Sequence, residues 1–183
     1  MQAKVQKPEE VQPLEPLDLI VVLKMAAARR PGAEDRCSVR DLASALAVPK
    51  SNIQRSMKRL VAQSLVVVGP DGRRVNRLNA RDLFVHGVRW LAPAKVGRVV
   101  LGLPTAHAAS PLASLLPGDV DPVVIPLEEG PVRGRSVTPI HPSAPAAAKN
   151  DQKLHELLAI VDGIRIGGAR EREVAAAALQ ARL

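Results

Sequence analysis

Between Ser51 and Arg59 the chain sets Ser51, Asn52, Gln54, Arg55, Lys58 and Arg59 close together. These side chains carry the donors and acceptors that match base-pair edges. An arginine fork can bond guanine O6 and N7, and an Asn or Gln amide can pair with adenine N6 and N7. Ser51, at a helix start, can join the free backbone N–H groups of the first turn in holding a phosphate. Arg73 and Arg74 follow a Gly-Pro-Asp-Gly turn. A hairpin tip there either leaves them solvated or carries them to a phosphate or a minor groove. Such a set makes and breaks no bond. No nucleophile elbow, phosphate loop, paired-carboxylate motif or zinc signature occurs, so a non-enzyme with no cofactor is expected. His86, His107, His141, His155 and Cys37 show no metal-ligand spacing, so no metal site is expected either. His86 reads as a packed histidine and Cys37 as a partly buried structural residue.

These side chains can act together only on a helix with one free face. Ser51-x-x-Gln54 is a capping-box pattern, and the helix it starts should run to about Ser64. On a 100° wheel Ile53, Met57, Leu60 and Val61 fall on the inner side, with Ser51, Asn52, Arg55, Lys58, Arg59 and Ala62 opposite. A shorter helix over 39–46 should precede it, capped by Ser38 with Asp41 at its positive end, and Ala47-Val48-Pro49 forms the turn between them. After it come a strand over Leu65–Val68, a turn at Gly69–Gly72 and a returning strand over Arg73–Leu78. Asn79 can cap a further helix over 80–91 that packs Leu83, Phe84, Val88 and Leu91 inward, with Trp90 at its edge or at an interface. Upstream, Pro16 opens a helix to about Arg30 with Leu19, Ile20, Leu23, Ala26 and Ala27 on one stripe, and Pro31-Gly32 ends it.

Beyond residue 93 the chain changes character. Nine of its sixteen prolines fall between Pro104 and Pro145, which excludes a long helix there. Short strands are expected at Val99–Leu103, Val123–Leu127 and Val132–Val137, the last two as a hairpin. Asn150 or Asp151 then caps a helix whose stripe is Leu154, Leu157, Leu158, Val161 and Ile164. Gly167-Gly168 breaks it before a final Ala-rich helix. The expected organisation is a flexible tail over 1–13, a winged helix-turn-helix domain over 14–93, a proline-rich segment over 94–149 and a helical hairpin over 150–183. The fold class is mainly α with small β. No internal repeat is present.

Charge supports the same reading. Residues 36–98 carry thirteen Lys/Arg against three acids, a net +10, whereas the whole chain of 183 residues is +8. The excess positive charge therefore lies in the segment with the helix, turn, helix and wing, and it calls for a polyanionic partner. One Phe, one Trp and no Tyr leave little with which to stack unpaired bases, so double-stranded DNA is favoured over single strands. No apolar run reaches the roughly 20 residues that span a bilayer, and the polar start is neither a signal nor a transit peptide. A single cysteine fits a reducing cytoplasm. The wealth of Ala, Val, Arg and Pro fits a GC-rich bacterial genome.

Residues 17–92 resemble the winged helix-turn-helix regulators of the MarR type. The likeness rests on Ser38-Val39-Arg40-Asp41-Leu42-Ala43, Val48-Pro49-Lys50-Ser51-Asn52-Ile53 and Met57 to Val66. It implies a transcriptional regulator, expected to be a homodimeric repressor, that reads the major groove with the 51–64 helix and uses a wing near 69–74. The phrases Val85 to Trp90 and Gly102 to His107 are similar to small bacterial winged-helix proteins, some of which accompany nucleotidyltransferase-like toxins. That implies an alternative: an antitoxin or adaptor that grips a partner encoded nearby through 94–183 and regulates its own operon. In either case Leu154, Leu157, Leu158, Val161 and Ile164 are expected to form a partner or dimer interface, with packing on the helix at 17–30 as the intramolecular alternative.

Overall fold

Helix α1, Pro16–Ala27, is apolar on nearly every side and buried on nearly every side, from Leu17 through Ala27. A helix with that pattern has to be central, with other elements wrapped around it. The computed structural model describes residues 12–28, 37–70, 72–116 and 121–183. The stop expected at Pro31-Gly32 and the tail over 1–11 lie outside these residues. Pro16 occupies the first helical position, and the Glu15 N–H is bound by Asp18 Oδ2 at 2.7 Å, which closes the first turn.

One flank of α1 is covered by the winged helix. Helix α2, Val39–Ala45, begins as its sequence indicates: Ser38 Oγ accepts the Asp41 N–H at 3.1 Å, and the Asp41 carboxylate takes the Ser38 N–H. Ala47 turns the chain with φ 51°. Helix α3, Lys50–Ala62, follows. Its N-cap is Pro49, with no side-chain cap, so the box expected at Ser51 does not form: the rigid φ of Pro49 sets the start two residues earlier. Strands β1, Val66–Gly69, and β2, Gly72–Val75, pair antiparallel, with Val66 across from Val75.

Helix α4, Arg77–Asp82, is capped by Asn76, whose Oδ1 accepts the Asn79 N–H. Asn79, the expected cap, lies inside the helix and donates from its own amide to the Ser64 carbonyl at 2.9 Å. A π turn over Leu83–Gly87 leads into α5, Val88–Leu91. The wider turn shifts the helical period, so Phe84 and Val88 are buried while Leu91, expected inside, is exposed. His86, expected to be packed, is exposed as well.

Strands β3, Val96–Pro104, β4, Val123–Pro126, and β5, Val132–Val137, close on one another as a three-stranded barrel. The hairpin expected between the last two is not there. Gly102 pairs with both Pro126 and Val132, and two strands that each run antiparallel to β3 must run parallel to each other, as Val123 beside Arg135 shows. The barrel has no room for a side chain at this crossing. A Cβ on Gly130 would run into the Gly102 backbone, and one on Gly102 into the Ile125 carbonyl oxygen.

The chain ends in α6, Ala144–Lys149, α7, Gln152–Ile166, and α8, Ala169–Gln180. Helix α7 lies along the second flank of α1 and also packs against α5 and α8. Leu154, Leu157, Leu158, Val161 and Ile164 are therefore buried within this protomer and share one core with Leu19, Leu60 and Phe84. The reading of these five as a partner or dimer interface is thereby corrected, because α1 needs a cover on the flank that α2 and α3 leave open. Polar joints fix the packing. Lys24 of α1 bonds the α7 cap Asp151 at 2.5 Å. Arg165 reaches Asp162 at 2.6 Å and the Ala92 carbonyl at 2.7 Å, and Thr105 donates to the other Asp162 oxygen at 2.7 Å. Burial pushes the Asp162 carboxyl up, against the pull of the Arg165 guanidinium.

Changing Leu157 and Val161 together to Asp should abolish folding, and Leu158→Ala alone should cost about 2–5 kcal/mol. Circular dichroism on heating checks both. A folded double variant that has merely become smaller in size would contradict this packing.

Candidate nucleic-acid interface

The free face of α3 carries Lys50, Ser51, Gln54, Arg55, Lys58, Val61 and Ala62, all exposed, with Asn52 half-buried at its margin. The opposite face packs Ile53, Met57 and Leu60 on the core. The helix forms because its apolar residues recur every three to four positions, which leaves the polar ones on a single strip. Arg55 is held toward the helix by a bond from Nη2 to Asn52 Oδ1 at 2.7 Å. Arg73 and Arg74 are exposed on β2, where they lie across from Val68 and Val67. As successive strand residues they point to opposite sides of the wing. Asp71, at its tip, is outside the described residues.

Arg59 does not join them. The sequence places it on the free face, but it is only 6% exposed. Its Nε and Nη2 grip the two Asp18 oxygens at 2.7 and 2.9 Å, and Nη2 also reaches Glu15 at 2.9 Å. Donating to the Asp18 carboxylate raises the pKa of the guanidinium against the opposing effect of burial. The reason is Asp18 itself, a carboxylate inside a buried helix, which needs a buried cation. Val61, assigned to the inner face, is exposed in exchange.

Two further exposed cations of the helix-turn-helix lie outside the base-contact pattern. Lys50 opens α3, and Arg40 stands in the first turn of α2; both are exposed. Taking Ser51 as the cap had left Lys50 outside the helix. Arg40, Lys50, Arg55, Lys58, Arg73 and Arg74 make no ion pair among the described residues, whereas Arg81 lies 3.5 Å from Asp82. The excess charge therefore remains available to a ligand. Beside α3 runs a groove of about 730 Å³ lined by Asn52, Arg55, Glu15, Leu17, His141 and Pro142, among others. His141 accepts the Ser143 N–H on Nδ1, and burial lowers its pKa. Among the described residues no three His, Cys, Asp or Glu side chains gather as a metal site, and no helix is long and apolar enough to cross a membrane.

A helix, a turn, an exposed basic helix and a two-stranded wing, packed on a preceding helix, define a winged helix-turn-helix module. Residues 25–74 match the model of the MarR family, so this stretch is similar to the winged helices of that family. The match spans less than a third of the chain. No curated protein and no solved structure matches the chain significantly.

Arg59→Ala would strand the buried Asp18 carboxylate and should destabilise the fold by about 3–5 kcal/mol. Arg55→Ala and Lys58→Ala should each stay within about 0.5 kcal/mol of the parent. Urea denaturation separates the two classes.

Proposed function

We propose that this protein is a sequence-specific, duplex-DNA-binding transcriptional regulator that acts as a repressor. The observation that carries the reading is the strip of Lys50, Ser51, Gln54, Arg55 and Lys58 on the free face of α3, flanked by Arg73 and Arg74 and matched by no carboxylate among the described residues. A major groove admits one helix, and this one offers forked, amide and hydroxyl groups to base edges. Phosphate contacts from Arg40 and the wing would supply affinity without sequence choice. The MarR match supports the same reading. Among the described residues the helical hairpin of α7 and α8 offers a protein partner no free apolar stripe, which removes one support of the adaptor reading.

One winged helix covers few base pairs, so a symmetric homodimer is part of the proposal, with two α3 helices set one helical turn apart on a pseudo-palindrome. Trp90, 75% exposed and stacked under Arg89 at 5.1 Å, stands with the exposed Leu91 at the end of α5. They form apolar surface of the kind such a contact uses.

In a gel shift with the DNA upstream of the gene, Arg55→Ala/Lys58→Ala should weaken binding by at least about tenfold while the melting temperature stays put. Unchanged affinity would remove α3 from the role of reader. Sedimentation should show a dimer that Trp90→Glu converts to monomer; a wild-type monomer both free and on DNA would exclude the symmetric arrangement.

A further inference from the structure

The outer side of the β3–β5 pair is a second exposed cationic surface. Val99 lies across from Arg135 and Leu101 across from Arg133, and residues directly opposed in a ladder share one face of the sheet. Val99 is 56% and Leu101 47% exposed, and both arginines are exposed. The alternate positions Gly102 and Gly134 face the packed interior. Among the described residues neither arginine has a hydrogen-bonding or ion-pair partner for its side chain. Asp121 and Glu171 line a cavity that Arg135 also borders, yet neither pairs with it, and Glu171 is taken up by the Gly168 N–H.

The chemistry of this face narrows its occupant. A second copy laid on it about a two-fold axis would bring arginine against arginine, and the nearby carboxylates, Asp121 and Glu171, form no ion pair with either one. The face holds no aromatic ring, so unpaired bases have nothing to stack on. A regular array of phosphates meets both objections. Two residues apart on one strand, Arg133 and Arg135 stand about 7 Å apart and can reach the same backbone. We propose that the barrel face is a second contact on duplex DNA, gripping phosphates elsewhere along the molecule that α3 reads. The choice of duplex rests on the function proposed above.

The test uses the full chain, a long duplex carrying the gene's upstream sequence, and fluorescence anisotropy across a salt series. Arg133→Gln/Arg135→Gln should melt like the parent, since both side chains are exposed. It should lower the salt slope by about two and weaken binding about 10- to 100-fold at low salt. A slope and affinity equal to the parent's would overturn the barrel contact and leave α3 as reader. If Arg55→Ala/Lys58→Ala binds normally while the barrel variant fails, the barrel contact stands and the α3 reading falls. A wild-type chain that binds no duplex removes both. Phosphatidylserine vesicles are titrated in parallel: a barrel variant that loses only vesicle binding assigns the face to an anionic membrane and overturns the proposal.

Discussion

The rest of the fold depends on the need to cover α1 on all sides. Its residues from Leu17 to Ala27 cannot be left wet, and each Leu, Ile or Val taken out of water contributes about 1.5–3 kcal/mol. Helices α2 and α3 and strand β2 cover one flank, and α7 covers the other. The winged helix and the C-terminal helices consequently share one continuous apolar core rather than meeting at a polar seam. The winged-helix module in this chain is thus completed by residues more than seventy positions beyond its wing.

Burying a helix this thoroughly also sets its polar exceptions. Asp18 is the one carboxylate in the α1 interior, and it accepts from the Glu15 backbone and from Arg59. That bond locks α3 against α1 at a fixed rotation, and the rotation decides which residues of α3 face outward. At the opposite end of the core, Arg165 and Asp162 tie α7 to the Ala92 carbonyl and to Thr105, so the barrel is anchored to the helix behind the winged helix. Breaking such buried pairs on one side is costly, which makes them suited to fixing an orientation. The exposed cations of α2, α3 and the wing are held on a rigid frame and make no ion pair among the described residues, as a polyanion-binding surface requires.

Much of this was legible in the chain. Ser38 and Asp41, Pro16 at a helix start, the Gly-Pro-Asp-Gly turn and Asp151 before an apolar stripe each act within four residues of themselves, and each appears where local chemistry puts it. The free face of α3 was legible for the same reason, since a helical wheel needs only one segment. Arg59 was misread because its partner lies 41 residues away. A wheel assigns a charged residue outward by default; a lone acid in the apolar run of α1 was the signal that a cation must come in to meet it. Asn76 and Pro49 displaced the expected caps Asn79 and Ser51 by a few residues, since neighbouring candidates differ little in intrinsic preference and packing selects among them.

Short stretches of the chain were enough to set the local elements and the sign of the surface. Apolar spacing, capping residues, turn glycines and the clustering of Lys and Arg are properties of short stretches, and they suffice for a basic helix-turn-helix with a wing. Only the tertiary structure decided what covers what. The stripe from Leu154 to Ile164 demands a cover whatever supplies it; the chain alone points to a second protomer or a partner, and the structure supplies α1. The parallel meeting of β4 and β5, likewise, follows from both strands sharing β3, a contact that no turn sequence encodes. Hydrophobic burial is non-directional, so it states how much surface must be hidden and leaves the identity of the partner to the way the whole chain packs.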